Sequence, residues 1–213
     1  MKNLINKIFT INDLKDRADD ISLENYEEFK AALKTVGRYS PQIISNGRVN
    51  HYWIQDLIAC LTGGEITPGG QGNSLPDLFW GEEQIEVKGL TDKEFSNNTP
   101  TRVSASKFFA SNGGITAIKE LGEDQEAIKK LVFDASYTDD YYMLTLTCGL
   151  DVEADYEDIT IMFVPTALLI ENLIPAVGDY NYKTPDGKEK SKKIKYPYTC
   201  VDLESLKKNL EVL

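Results

Sequence analysis

Asp77, Glu86 and Lys88 are the residues whose types and spacing best fit phosphodiester chemistry. They lie in the run Pro76-Asp77-Leu78-Phe79-Trp80-Gly81-Glu82-Glu83-Gln84-Ile85-Glu86-Val87-Lys88, where a single β-hairpin would bring them together. Leu78 to Trp80 carries β-forming aromatics, Gly81 to Gln84 reads as a polar turn, and Ile85 to Lys88 alternates apolar and polar with strand period. With the turn centred between Glu82 and Glu83, cross-strand partners have numbers summing to 165, which sets Asp77 opposite Lys88 and Phe79 opposite Glu86. Asp77, Phe79, Glu86 and Lys88 then share one face, while Leu78, Trp80, Ile85 and Val87 share the other and can enter a core. A one-residue slip would misplace the whole apolar set. Glu82 and Glu83 sit at the turn and read as solvated.

Two neighbouring carboxylates repel, and a divalent cation or a shared proton relieves the repulsion. Oxygen donors without an accompanying His or Cys favour Mg²⁺ over zinc. Lys88 beside them could orient, or help deprotonate, a water attacking phosphorus. The bland alternative is an amphipathic hairpin whose solvent face happens to carry charge. Phe79 on the charged face points instead to a cleft wall.

Pro76-Asp77 followed by Glu86-Val87-Lys88 resembles the signature of the PD-(D/E)XK nuclease superfamily, which includes most type II restriction endonucleases and several DNA-repair and recombination nucleases. The resemblance is confined to residues 76–88. It implies a restriction endonuclease-like core and a Mg²⁺ cofactor held by Asp77, Glu86 and the Val87 carbonyl, with Lys88 as the catalytic lysine. It also implies sequence-specific cleavage of double-stranded DNA to 5′-phosphate ends by a two-fold homodimer. Some members add an acid from a preceding helix; Gln55, Asp56 and Glu65 are the nearby candidates, and none matches that pattern. Two alternatives remain: a repair or junction-resolving nuclease using the same triad, and a noncatalytic acidic protein that mimics DNA.

A chain of 213 residues fits a single domain with a sizeable core. No apolar run approaches the roughly twenty residues that span a bilayer. Met1 to Phe9 is too short and interrupted for a signal-peptide core, so a cytoplasmic protein is expected. Cys60, Cys148 and Cys200 each lie among apolar neighbours and read as buried free thiols. His51 is the single histidine, which excludes a His-rich metal site. The net charge of −11 argues against nonspecific binding of nucleic acid, but it is unevenly spread. Residues 181–197 hold six lysines against Asp186 and Glu189, a window of +4 on a remainder of −15. Such a patch suits a protein that grips a phosphate backbone on one side.

The elements positioning these groups follow from periodicity. Residues 1–64 read as helical: a short helix capped by Thr10 or Asn12, a stronger one from Ser22 through Lys34 ended by Gly37, and a third from Asn50 through Leu61 closed by Gly63-Gly64. The glycine-rich stretch 63–74 leads into Asp77 as a rim of the site and lacks the Gly-Lys-Ser/Thr of a phosphate-binding loop. Beyond the hairpin (76–90) come a helix starting near Arg102 and running to Phe109, an amphipathic helix over 123–135, and core strands at 141–148 and 159–164. A helix opens at Pro165, Pro185-Asp186-Gly187 turns a lysine-rich hairpin, and Asp202 caps a helix over 203–210. The DNA-contact candidates are Arg48, Asn50, His51, Gln71, Asn73, Asn97, Asn98, Arg102, Ser104, Lys107, Lys190, Lys192 and Lys193. The order of elements predicts an α/β fold, a central mixed sheet flanked by helices.

Overall fold

Three apolar runs form the middle of the sheet: β4 (Glu83–Thr91), β6 (Tyr141–Cys148) and β7 (Thr160–Pro165). The computed structural model describes residues 2–15, 23–45, 50–66, 76–103, 140–148, 158–174, 178–194 and 199–213, with isolated positions between 120 and 130. The helix expected over 123–135 and most of the glycine-rich stretch fall outside the described residues. β6 runs parallel to β4 and antiparallel to β7. Around them lie β1 (Lys7–Thr10), β2 (Glu65–Ile66), β3 (Leu78–Trp80) and β12 (Glu211–Val212), giving a seven-stranded order β12-β1-β7-β6-β4-β3-β2. β1 and β12 are also parallel, so the sheet is mixed, as the α/β expectation required.

Strand alternation divides the core in two. Ile85, Val87, Met143, Ile161 and Phe163 face one way, onto α2 (Leu23–Tyr39) and α4 (Asn50–Thr62) through Tyr26, Leu33, Trp53 and Leu57. Leu90, Tyr142, Leu144, Met162 and Val164 face the other way, onto α6 (Thr166–Glu171) and α7 (Leu203–Lys208) through Leu169, Ile170, Leu203 and Leu206. Each fully buried aliphatic contributes about 1.5–3 kcal/mol, so both faces are strongly specified. The remaining helices are short: α1 (Ile11–Lys15), α3 (Pro41–Ser45) and α5 (Asp92–Ser96). Beside the main sheet, β5 (Thr101–Val103), β11 (Thr199–Val201) and β8 (Leu173–Ile174) form a small antiparallel sheet. β9 (Gly178–Lys183) and β10 (Glu189–Ile194) form the expected lysine-rich hairpin.

Several expectations need correction. The N-terminal part contains β1, whose Phe9 is buried against the first core. α2 continues past Gly37 to Tyr39, because Gly37 is buried in the helix and the break falls at Ser40-Pro41. Arg102 lies on a strand and not at a helix start: β5 is held by pairing with β11, Arg102 opposite Cys200. Other boundaries hold. Thr10 opens α1, with its Oγ1 accepting from the Asp13 N–H, and Asp202 Oδ1 caps α7 by accepting from the Glu204 and Ser205 N–H groups.

The hairpin register also shifts. Leu78 pairs with Ile85, Phe79 with Gln84 and Trp80 with Glu83, so partners sum to 163 and the turn is Gly81-Glu82. Gly81 has φ +66°, which suits the first position of the two-residue hairpin turns that demand glycine there. A shift of two preserves the strand period, so both predicted faces survive. Replacing Gly81 with Ala should lower stability by about 1 kcal/mol, since left-handed strain is only partly offset by the loss of unfolded-state entropy. Gly81→Asn should lose less; equal urea midpoints for the native protein and Gly81→Ala would refute this turn.

Candidate active site

The ladder ends at Leu78–Ile85, and Asp77 forms a bend just before β3; the same register projected one and two residues further would set Asp77 opposite Glu86 and Pro76 opposite Val87. Asp77 Oδ2 accepts from the Val87 N–H at 2.8 Å, taking the place of a main-chain ladder acceptor. Proline at position 76 has no N–H, so β3 cannot supply the donor that the Val87 carbonyl would receive from a continued ladder. The N–H and C=O of one strand residue point to the same side, so that carbonyl faces the edge where Asp77 lies.

Glu86 is only 9% exposed, and a buried carboxylate requires a partner. Lys88, two residues along the same face, supplies it through an ion pair from Nζ to Glu86 Oε1. On the neighbouring strand Glu86 sits beside Tyr142 and Lys88 beside Leu144, both fully buried, so the charged groups lie on the margin of the second core. Asp77, Phe79 and Lys88 are half-buried. These residues are partly covered and do not form an open solvated face. The far side holds as expected: Leu78, Ile85 and Val87 are buried and Trp80 packs against the same cluster. Glu82 is exposed and Glu83 half-buried.

Two supports escaped the sequence reading. Asp140 clamps the start of β4 from across the sheet: its Oδ2 accepts from the Gln84 N–H and its own N–H donates to the Gln84 carbonyl, both at 2.8 Å. Nothing in the local sequence signals that contact. Thr91-Asp92-Lys93-Glu94, by contrast, is a legible capping box. Thr91 Oγ1 accepts from the Glu94 N–H and Glu94 Oε2 from the Thr91 N–H, a cap three residues after Lys88 that starts α5 at Asp92. Buried Thr145 donates to the Lys88 carbonyl at 3.3 Å.

The DNA-contact candidates separate. Arg48, Gln71, Asn73, Ser104 and Lys107 lie outside the described residues, as do the side chains of Asn50 and His51, which open α4, and of Arg102. Asn97 caps the end of α5, donating to the Lys93 carbonyl. Lys192 is half-buried and donates to the Pro100 carbonyl, a tether and not a free cation. Lys190 and Lys193 are exposed. Lys183 and Lys188 pair within the hairpin with Glu189 (3.7 Å) and Asp186 (2.6 Å). Asp56, on α4, is half-buried, and burial raises its carboxyl above the usual range. Cys60 and Cys200 are free thiols, Cys200 buried and Cys60 half-buried.

Among the described residues no three His, Cys, Asp or Glu side chains converge into a metal cage, and no helix is long and apolar enough to cross a membrane. The candidate donors at the hairpin, the Asp77 and Glu86 carboxylates and the Val87 carbonyl, are all hard oxygens. That set fits Mg²⁺, which retains several waters and commonly takes only one or two carboxylates. The chain matches no protein-family model, no curated protein and no solved structure.

Away from the hairpin, Tyr180 on β9 donates to Asp202 Oδ2 at 3.2 Å. Burial first, then the Asp202 charge and hydrogen bond, push its phenol up to about 12. A raised folded-state value means that this group's stabilisation is complete below the unfolded tyrosine value near 10 and is lost as pH climbs toward 12. The native protein should therefore lose stability more steeply than Tyr180→Phe across that interval in urea titrations. Parallel curves would contradict the assignment.

Proposed function

We propose that this chain is a Mg²⁺-dependent, sequence-specific endonuclease of double-stranded DNA, of the type II restriction kind, built on a restriction endonuclease-like core. The observation that carries this reading is the hairpin itself: Glu86 and Lys88 form an ion pair on one face of β4, and Asp77 is seated on the N–H of Val87, the residue between them. Asp77, Glu86 and the Val87 carbonyl would hold the cation. When bound, Mg²⁺ supplies charge stabilisation at phosphorus and a more acidic water. Lys88 orients the attacking water on the same face. Its oxygen bonds to phosphorus, the bond from phosphorus to the 3′ oxygen breaks, and the products are a 5′-phosphate and a 3′-hydroxyl. The exposed Lys190 and Lys193 give the acidic body a local grip on phosphates. Cutting both strands of a palindrome calls for two copies related by a two-fold axis, so the working unit is a homodimer.

Asp77 has a structural bond as well as a proposed ligand role, so alanine is a poor probe there. Asn can still accept from the Val87 N–H while lacking the charge, and Lys88→Met keeps the aliphatic stem. With Mg²⁺ and a mapped plasmid, the native protein should give discrete bands, and Asp77→Asn should lower the rate by at least about a hundredfold with little change in melting temperature; Lys88→Met should lower the rate as much and also lower the melting temperature, because it leaves buried Glu86 without its cation. Cleavage confined to nicked or branched substrates would favour a repair or junction-resolving nuclease. Absence of cleavage across duplex, nicked and branched DNA would overturn the proposal.

A further inference from the structure

α2 buries Tyr26, Leu33 and Gly37 and turns its opposite side to solvent. That exposed side changes character along the helix. Its first half carries Glu24 and Glu28, as a solvated helix face should. Its second half presents Ala31, Ala32, Thr35, Val36 and Tyr39, all exposed and uncharged, with exposed Arg38 on the flank. Val36 is 45% and Tyr39 88% exposed, and at a spacing of three they are neighbours on the helix surface. Among the described residues the only other large hydrophobic so exposed is Val212, on β12. Adjoining apolar side chains left in water mark a surface for a partner, where a single one would not.

The charges on this face indicate which partner. Glu28, Ala31, Thr35 and Arg38 recur at spacings of three and four, so they form one seam along the helix, with Tyr39 beside its end. The seam is acidic toward its N-terminal end and basic toward its C-terminal end, which makes it complementary to itself when reversed. Glu24, Glu28 and Arg38 make no ion pair among the described residues, whereas Glu27 is taken by Lys30 at 2.8 Å. An antiparallel copy centred on Ala31 and Ala32 gives opposed positions that sum to 63, with Tyr39 opposite Glu24 and Thr35 opposite Glu28. Arg38 of each helix then lies within one turn of Glu24 and Glu28 of the other, and the alanines at the centre let the two backbones approach closely. A parallel copy would set Glu28 against Glu28 and Arg38 against Arg38. We propose that this face of α2 binds a second copy of the chain, helix against antiparallel helix across a two-fold axis. The face contains none of Asp77, Glu86 and Lys88, so the inference does not rest on the nuclease reading, although it would supply the two copies which that reading calls for.

Sedimentation equilibrium of the full chain tests it. One helix pair is at the small end of specific interfaces, so the native chain should pass from monomer to dimer on the order of 10 µM, within a series from about 1 to about 200 µM. Tyr39→Ser should raise the dissociation constant at least about tenfold, and Val212→Ser should leave it unchanged. Arg38→Glu, and separately the double variant Glu24→Lys/Glu28→Lys, should each weaken association at least about tenfold, because each sets like charges against one another. An equimolar mixture of the two should return to near the native affinity, since both arms of the interface then pair opposite charges. If either charge variant fails to fold, Tyr39→Ser decides alone, at a position too exposed to disturb the core. A native chain that stays monomeric throughout, a Tyr39→Ser dimer as tight as the native one, loss of the dimer in Val212→Ser, or folded charge variants that stay monomeric when mixed would overturn the proposal. None of these outcomes is read through DNA cleavage, so this inference and the nuclease reading fail separately.

Discussion

Everything at the hairpin depends on a register that two different forces set between them. Burial of Leu78, Ile85 and Val87 separates registers of odd sum from those of even sum, because a one-residue slip would turn three core side chains to the other face. Burial cannot separate 163 from 165, since both keep the same faces. The turn makes that choice: Gly81 takes the positive φ of a two-residue connection, and Leu78 thereby pairs with Ile85 and not with Val87.

β4 is the strand on which both cores meet. Ile85 and Val87 enter one and Leu90 the other, so Glu86 and Lys88, with Gln84, lie on the stretch of that second face ahead of its apolar layer. Their neighbours Tyr142 and Leu144 are buried, which lowers the local dielectric and strengthens the ion pair between them. The same strand is pinned at its start by Asp140 on Gln84 and near its middle by Asp77 on Val87. Chemistry demanding fixed donor positions is better served by such a strand than by a loop.

What the sequence made legible follows from range. Alternation over Ile85 to Lys88 and the apolar density of 141–148 and 160–165 are local signals, and those strands stand where expected. Asp202 and the 185–187 turn likewise carry their own chemistry. β1, β8, β11 and β12 are two to four residues long and exist only through partners far along the chain, as in Lys7 opposite Glu211 and Cys200 opposite Ile174. No local pattern announces them. Gly37 misled because tertiary burial outweighs the roughly 1 kcal/mol cost of a helical glycine. Lys192 misled because a lysine in a basic run reads as a free cation, although its stem and ammonium are spent on the body. The capping box at Thr91 was readable from residue types alone.

The central claim is that Asp77, Glu86 and the Val87 carbonyl form one oxygen-donor site. Crystals soaked in Mn²⁺, with anomalous scattering collected above the manganese edge, test it most directly. A single peak bridging the Asp77 and Glu86 carboxylates, within reach of the Val87 carbonyl and absent in Asp77→Asn, is the predicted result. Full occupancy of Mn²⁺ elsewhere, with none at the hairpin, would contradict it.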